Sequence, residues 1–121
     1  MIENGLYKMD FRATDGVDAI GSSVIVLRDG IILGGNSYFY YVGTYSCFEG
    51  TWKGELTIQE HTAAPINQPM AGKIVSAGFS GTYSGLEAVA SATTLVGKRS
   101  IRYEITLQRL IPASSLTAPH F

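Results

Sequence analysis

Between Thr51 and His61 the apolar residues Trp52, Leu56 and Ile58 alternate with Lys53, Glu55, Thr57 and Gln59. Ile101, Tyr103, Ile105 and Leu107 alternate in the same way with Arg102, Glu104, Thr106 and Gln108. A two-residue beat puts one set on each face of a pleated strand, whereas a helix would need apolar residues three and four apart. Turn signals at Asp15-Gly16, Asp29-Gly30, Gly34-Gly35, Glu49-Gly50, Gly85 and Gly97-Lys98 cut the chain into short apolar runs. These divisions predict strands over 5–14, 18–28, 31–35, 38–47, 51–61, 72–83, 86–95 and 98–110. The run 86–95 is ambiguous, because Ser84-Gly85-Leu86-Glu87 fits a capping box and Ala88, Ala90 and Ala92 favour helix. Strand is preferred because Thr93, Thr94, Leu95 and Val96 lead straight into the Gly97 turn.

Antiparallel strands in meander order remove their exposed edges by closing on themselves, so the expected fold is all-β, an eight-stranded antiparallel up-and-down barrel. Its inner face should carry Tyr7, Met9 and Phe11, then Trp52, Leu56 and Ile58, then Ile101, Tyr103, Ile105 and Leu107. Gly54 and Gly78 would leave some room inside, and a barrel of this size is either just filled or holds one small ligand. Trp52, Leu56, Tyr103 and Ile105 are the candidate lining of such a cavity. His61 to Gly72, with Pro65 and Pro69, reads as the one long loop, either a lid or slack. The domain should span 1–110, with 111–121 a loosely held tail containing Pro112 and Pro119. Gly-Thr-Tyr-Ser occurs at both Gly43 to Ser46 and Gly81 to Ser84, too short a match to establish a repeat.

The segment Ser22 to Leu33 departs from simple alternation. Val24, Ile25, Val26 and Leu27 meet Ile31, Ile32 and Leu33 across Asp29-Gly30, a pair suited to a tight hairpin turn, so this hairpin is apolar on both faces. One face must therefore be covered by something outside the sheet. If Asp15-Gly16 is a two-residue turn, Phe11 pairs with Ile20, Met9 with Ser22 and Tyr7 with Val24, which turns Val24, Val26 and Leu33 inward. Leu6, Ile25, Leu27 and Ile32 then point outward, with Tyr40 on the adjoining strand, as a homodimer or partner interface. A bulge at Gly21, or the C-terminal tail lying over the patch, would instead account for it without a partner.

Composition narrows the function classes. The chain has 121 residues, 45% of them hydrophobic and 16% charged, which fits one folded domain and excludes a disordered chain. No apolar run approaches the ~18 residues a membrane-spanning helix needs. Met1 to Gly5 lacks the basic start and apolar core of a signal peptide, and the single Cys47 makes no intramolecular disulfide, so a cytoplasmic location is expected. Nine basic against ten acidic residues give a net charge of −1, no footprint for nucleic acid or anionic lipid. Tyr38, Phe39, Tyr40 and Tyr41 could serve as stacking platforms, but only Arg28 and Lys53 fall near them. No direct nucleic-acid contact and no membrane association are expected.

Catalytic and metal chemistry find no anchor. The two histidines, His61 and His120, have no metal-ligand companion at short spacing. Cys47 and His61 are the one nucleophile and base to consider. A turn near Glu49 sets Cys47 opposite Thr51 and leaves His61 about 33 Å away at strand rise, which excludes the dyad. Phosphate-binding loops, nucleophile elbows, dinucleotide fingerprints, Cys-x-x-Cys pairs and paired carboxylates do not occur. The reading is a non-enzyme without catalytic, metal or cofactor residues.

Asn4-Gly5-Leu6-Tyr7, Val24-Ile25-Val26-Leu27-Arg28-Asp29-Gly30, Gly34-Gly35 and Tyr41-Val42-Gly43, in that order, resemble the GrlR-like negative regulators of type III secretion, over most of the chain. The resemblance implies a small lipocalin-like β-barrel that forms homodimers and represses virulence genes by binding a transcriptional activator protein instead of DNA. It also implies that Cys47, Phe48, Glu49 and Gly50 stand where the family's type member carries an acidic run that contacts the activator. Only Glu49 keeps the charge, so a partner recognised through that loop must differ in its electrostatics. The second functional reading is a carrier of a small apolar ligand held between Trp52, Tyr103 and the long loop.

Overall fold

A computed structural model describes residues 1–14, 20–65, 71–96 and 98–115. The strands are β1 (Gly5–Ala13), β2 (Ile20–Arg28), β3 (Ile31–Gly35), β4 (Phe39–Phe48), β5 (Thr51–Glu60), β6 (Ile74–Ser84), β7 (Glu87–Val96) and β8 (Arg99–Pro112). They form a closed barrel in sequence order, each pair antiparallel, with β8 returning to β1. The protein is thus an all-β, eight-stranded up-and-down barrel, as the alternation predicts. β8 runs past Leu110, the expected start of a loose tail. Ile111 and Pro112 pair with Leu6 and Gly5, and the Ala113 N–H donates to the Asn4 carbonyl at 2.9 Å.

The two ends of the barrel differ. One is sewn by tight turns, with Asp29 and Gly30 at φ 49 and 84 and Glu49 and Gly50 at φ 48 and 81, the doubly positive pattern that Asp-Gly accommodates. The N-terminal segment closes this end further. Ile2 is buried, the Tyr7 hydroxyl donates to the Glu3 carbonyl at 2.6 Å, and Arg109 pairs with the Glu3 carboxylate. The strand termini Ala13, Ile20, Gly35, Phe39, Glu60, Ile74, Val96 and Arg99 lie at the opposite end.

Around β7 the interior is packed by setting large residues against small ones across the ladder. Ala88, Ala90 and Ala92 lie inward, opposite Leu107, Ile105 and Tyr103 on one side and Tyr83, Gly81 and Phe79 on the other. The alanines that favour helix locally are therefore strand residues, because only a short side chain there leaves room for the neighbouring aromatic rings. All ten residues expected on the inner face do point inward, with Phe11 and Ile105 only partly buried. Gly54 leaves no space. A Cβ there would lie 2.0 Å from the Thr44 carbonyl oxygen and 2.8 Å from the Phe79 ring. Gly78 points outward into open space.

The register of β1 against β2 corrects the outward set. Tyr7 pairs with Ile25, Met9 with Ser23 and Phe11 with Gly21, one residue away from the pairing that a two-residue Asp15-Gly16 turn requires. A slip of one residue turns every side chain to the other face. Ile25, Leu27 and Ile32 are accordingly core residues, 2%, 0% and 3% exposed, while Val24, Val26, Ile31 and Leu33 face outward. The ring of Phe11 shows why. A Cβ on Gly21 would sit 2.2 Å from it, so glycine lets the ring lie across β2 where a larger residue would push it aside, and Ile20 is left exposed. The β1–β2 pairing is continuous through Gly21, with no bulge there. The irregularity falls instead between Leu6 and Tyr7, against β8. Asp15-Gly16 itself lies outside the described residues.

Candidate functional site

Two features stand out, a cavity within the barrel and an apolar stripe on its wall. The cavity occupies the end opposite the tight turns and has a volume of about 250 Å³. Leu56, Phe79, Ala92, Tyr103 and Ile105 line it, and Met9, Phe11 and Phe39 also contribute. Three of the four expected lining residues, Leu56, Tyr103 and Ile105, are thus brought together there. Trp52 is not among them, because its indole packs deeper, against Tyr45 and Phe79 with ring centroids 6.2 and 4.8 Å away. Its N–H donates to the Val89 carbonyl at 3.0 Å. These rings block the half of the barrel nearer the tight turns.

One wall of the cavity is polar. The Tyr41 hydroxyl lies 2.8 Å from the Ser23 hydroxyl, and the Asn36 Nδ2–H donates to Tyr41 at 3.1 Å. The orientation of the Asn36 amide follows from its other end. Its Oδ1 accepts the backbone N–H groups of Tyr38 and Phe39 at 3.0 and 2.9 Å, which leaves Nδ2 to face the hydroxyls. Burial raises the Tyr41 hydroxyl pKa above its ordinary 10.0, against the opposing effect of its hydrogen bonds to Ser23 and Asn36. Burial also raises Tyr103, with a smaller contribution from Tyr41. Asn36 and Ser23 were not singled out by the sequence reading; the signal available was Asn36 following Gly34-Gly35, which fits an Asx turn.

His61 supports this corner from outside. Its Nε2 lies 2.9 Å from the Asn36 carbonyl and its Nδ1 2.7 Å from the Thr62 hydroxyl. The carbonyl can only accept, so Nε2 is the donor in that bond. Cys47 pairs with Trp52 at the other end of β5, which separates it from His61. Among the described residues, no group of three His, Cys, Asp or Glu side chains could hold a metal ion.

On the outer wall, Ile111, Leu6, Val26, Leu33 and Val42 form one row across β8, β1, β2, β3 and β4. Val24, Ile31 and Tyr40 flank the row, and the exposures of Val24, Val26, Ile31, Leu33, Tyr40 and Val42 fall between 39% and 50%. Of the expected outer residues, Tyr40 and the half-buried Leu6 belong to this surface, and Ile25, Leu27 and Ile32 do not. The expectation of an apolar outer face survives the register correction only because both faces of the hairpin are apolar. Cys47, Phe48, Glu49 and Gly50 lie at the tight-turn end. Cys47 packs against the core, Phe48 is exposed, and Glu49-Gly50 make the turn itself. No helix among the described residues is long and apolar enough to cross a membrane.

No protein-family model matches this chain, and no curated protein matches it either.

Proposed function

We propose that this protein is a non-enzymatic, cytoplasmic β-barrel that works by protein contact as a homodimer. In this reading it is a negative regulator that holds a transcriptional activator, in the manner of the GrlR-like proteins its sequence resembles. The observation that carries the contact reading is the apolar row Leu6, Val26, Leu33 and Val42 with its flanking residues. Full burial of such a side chain contributes about 1.5–3 kcal/mol, so one already half-covered offers about 1 kcal/mol more. A second copy of the same stripe doubles the apolar area removed from water, bringing the gain to the order of 10 kcal/mol, within the range of about 4–15 kcal/mol that association costs. A polar partner would gain about half as much, which favours self-pairing of two sheet faces.

Sedimentation equilibrium tests the contact. The wild type should dimerise, and Leu33→Asp should be a folded monomer, because a carboxylate at the centre of the stripe loses its hydration on pairing. A monomeric wild type, or an unchanged dimer in Leu33→Asp, overturns the assignment. Leu27→Asp, the substitution that the uncorrected register would select, should not fold. The regulatory role is tested by deleting the gene in its host and measuring secretion-gene transcripts, which should rise. Unchanged transcripts count against that role.

A second reading, a carrier of a small apolar ligand, is favoured by the cavity. Its 250 Å³ exceeds the roughly 150 Å³ of an engineered apolar cavity known to admit benzene.

A further inference from the structure

The cavity has a chemistry of its own beyond its volume. None of the described side chains that line it is charged. A carboxylate or ammonium placed among them would lack a counter-ion there, and a charge buried in that way is strongly disfavoured. The same desolvation raises the pKa of both Tyr41 and Tyr103, holding them neutral.

The polar corner also has a surplus of protons. Ser23 and Tyr41 bring two hydroxyl protons and share one hydrogen bond, at 2.8 Å. Asn36 only adds donors, since its Nδ2 faces both oxygens at 3.1 and 3.4 Å and its Oδ1 is already occupied by two backbone N–H groups. When Ser23 donates to Tyr41, the Tyr41 oxygen accepts from Ser23 and Asn36 and its own proton is left to point elsewhere. Tyr41 lines the cavity. The corner can thus offer a donor to a ligand acceptor in a cavity that Leu56, Phe79 and Ala92 also line.

We infer that the cavity within the barrel binds an uncharged, apolar, one- or two-ring molecule carrying one hydrogen-bond acceptor, which the Tyr41 hydroxyl satisfies. This rests on the carrier reading of the cavity and specifies its ligand class. A carboxylate carried inside against this lining is disfavoured, because it would be buried without a counter-ion.

Three probes separate the class from the cavity itself. Coumarin is a neutral bicyclic lactone with a carbonyl acceptor, coumarin-3-carboxylate adds a charge, and naphthalene keeps the shape without the acceptor. Calorimetric titration of the full chain should show coumarin binding at least about tenfold more tightly than coumarin-3-carboxylate. Tyr41→Phe should weaken coumarin about fivefold and leave naphthalene unchanged within about twofold. Amide chemical shifts of Leu56, Phe79, Ala92 and Tyr103 should move with coumarin in the wild type, which places the ligand independently of the variant. If coumarin and naphthalene both fail to bind, or shift only outer residues, the cavity reading falls. If coumarin binds within the barrel but the carboxylate binds equally well, or Tyr41→Phe has no effect, the ligand class is wrong and the cavity reading stands.

Discussion

Leu27 and Leu33 sit on the same hairpin, two strands of one short ladder, yet one is 0% and the other 50% exposed. Truncating each to alanine therefore measures which way β2 and β3 face. Leu27→Ala removes three carbon atoms from a closed interior and leaves a cavity that neighbours fill only in part, which costs about 2–5 kcal/mol. Leu33→Ala removes the same atoms from a half-wet surface and leaves no cavity, so its cost within one protomer is about 1 kcal/mol or less. For a chain of this length each kcal/mol corresponds to a melting shift of about 3–6 °C, so Leu27→Ala should melt on the order of 10 °C lower. Urea unfolding followed by Trp52 fluorescence gives the same comparison at equilibrium. Both variants should be measured over a range of protein concentration, because a dimer interface at Leu33 adds a concentration-dependent loss that Leu27 lacks. If, at low concentration, Leu33→Ala proves the more damaging of the two, the inward assignment of Ile25, Leu27 and Ile32 is refuted.

Two other substitutions probe the barrel wall. Gly54→Ala should destabilise by about 1–3 kcal/mol, because its Cβ would fall 2.0 Å from a backbone oxygen that cannot move alone. Gly78→Ala, whose Cβ meets nothing within 4 Å, should be neutral or slightly stabilising, and equal urea midpoints for the two would contradict the packing described. Tyr7, Tyr41, Tyr45 and Tyr103 all have hydroxyl pKa values raised above 10.0, chiefly by burial. The unfolded chain releases these protons first. The stability they contribute is thus fully present below pH 10 and is lost as pH rises through the folded values. Melting temperature followed with tyrosinate absorbance should fall above that pH, and a flat profile would show that these hydroxyls are not buried.

Local pattern sufficed wherever one face of a strand was polar. The two-residue beat of 51–61 and 98–110 placed Trp52, Leu56, Ile58, Ile101, Tyr103 and Leu107 inside, as found. Asp29-Gly30 and Glu49-Gly50 marked tight turns because few other residue pairs accept two positive φ angles. Pattern failed where it was degenerate. Val24 to Leu27 and Ile31 to Leu33 are apolar at every position, so hydrophobicity could not choose between two registers that differ by one residue.

What the sequence determined by itself was the number of strands, their order and the closure of the barrel, since these follow from local alternation and turn chemistry. Tertiary structure decided which side of β2 and β3 is dry, because that follows from the β1–β2 register, in which the Phe11 ring lies over Gly21. It also decided that Trp52 fills one half of the interior while Tyr41 and Asn36 border the cavity in the other. Those positions depend on how residues far apart in sequence share one small volume, and no local repeat encodes that.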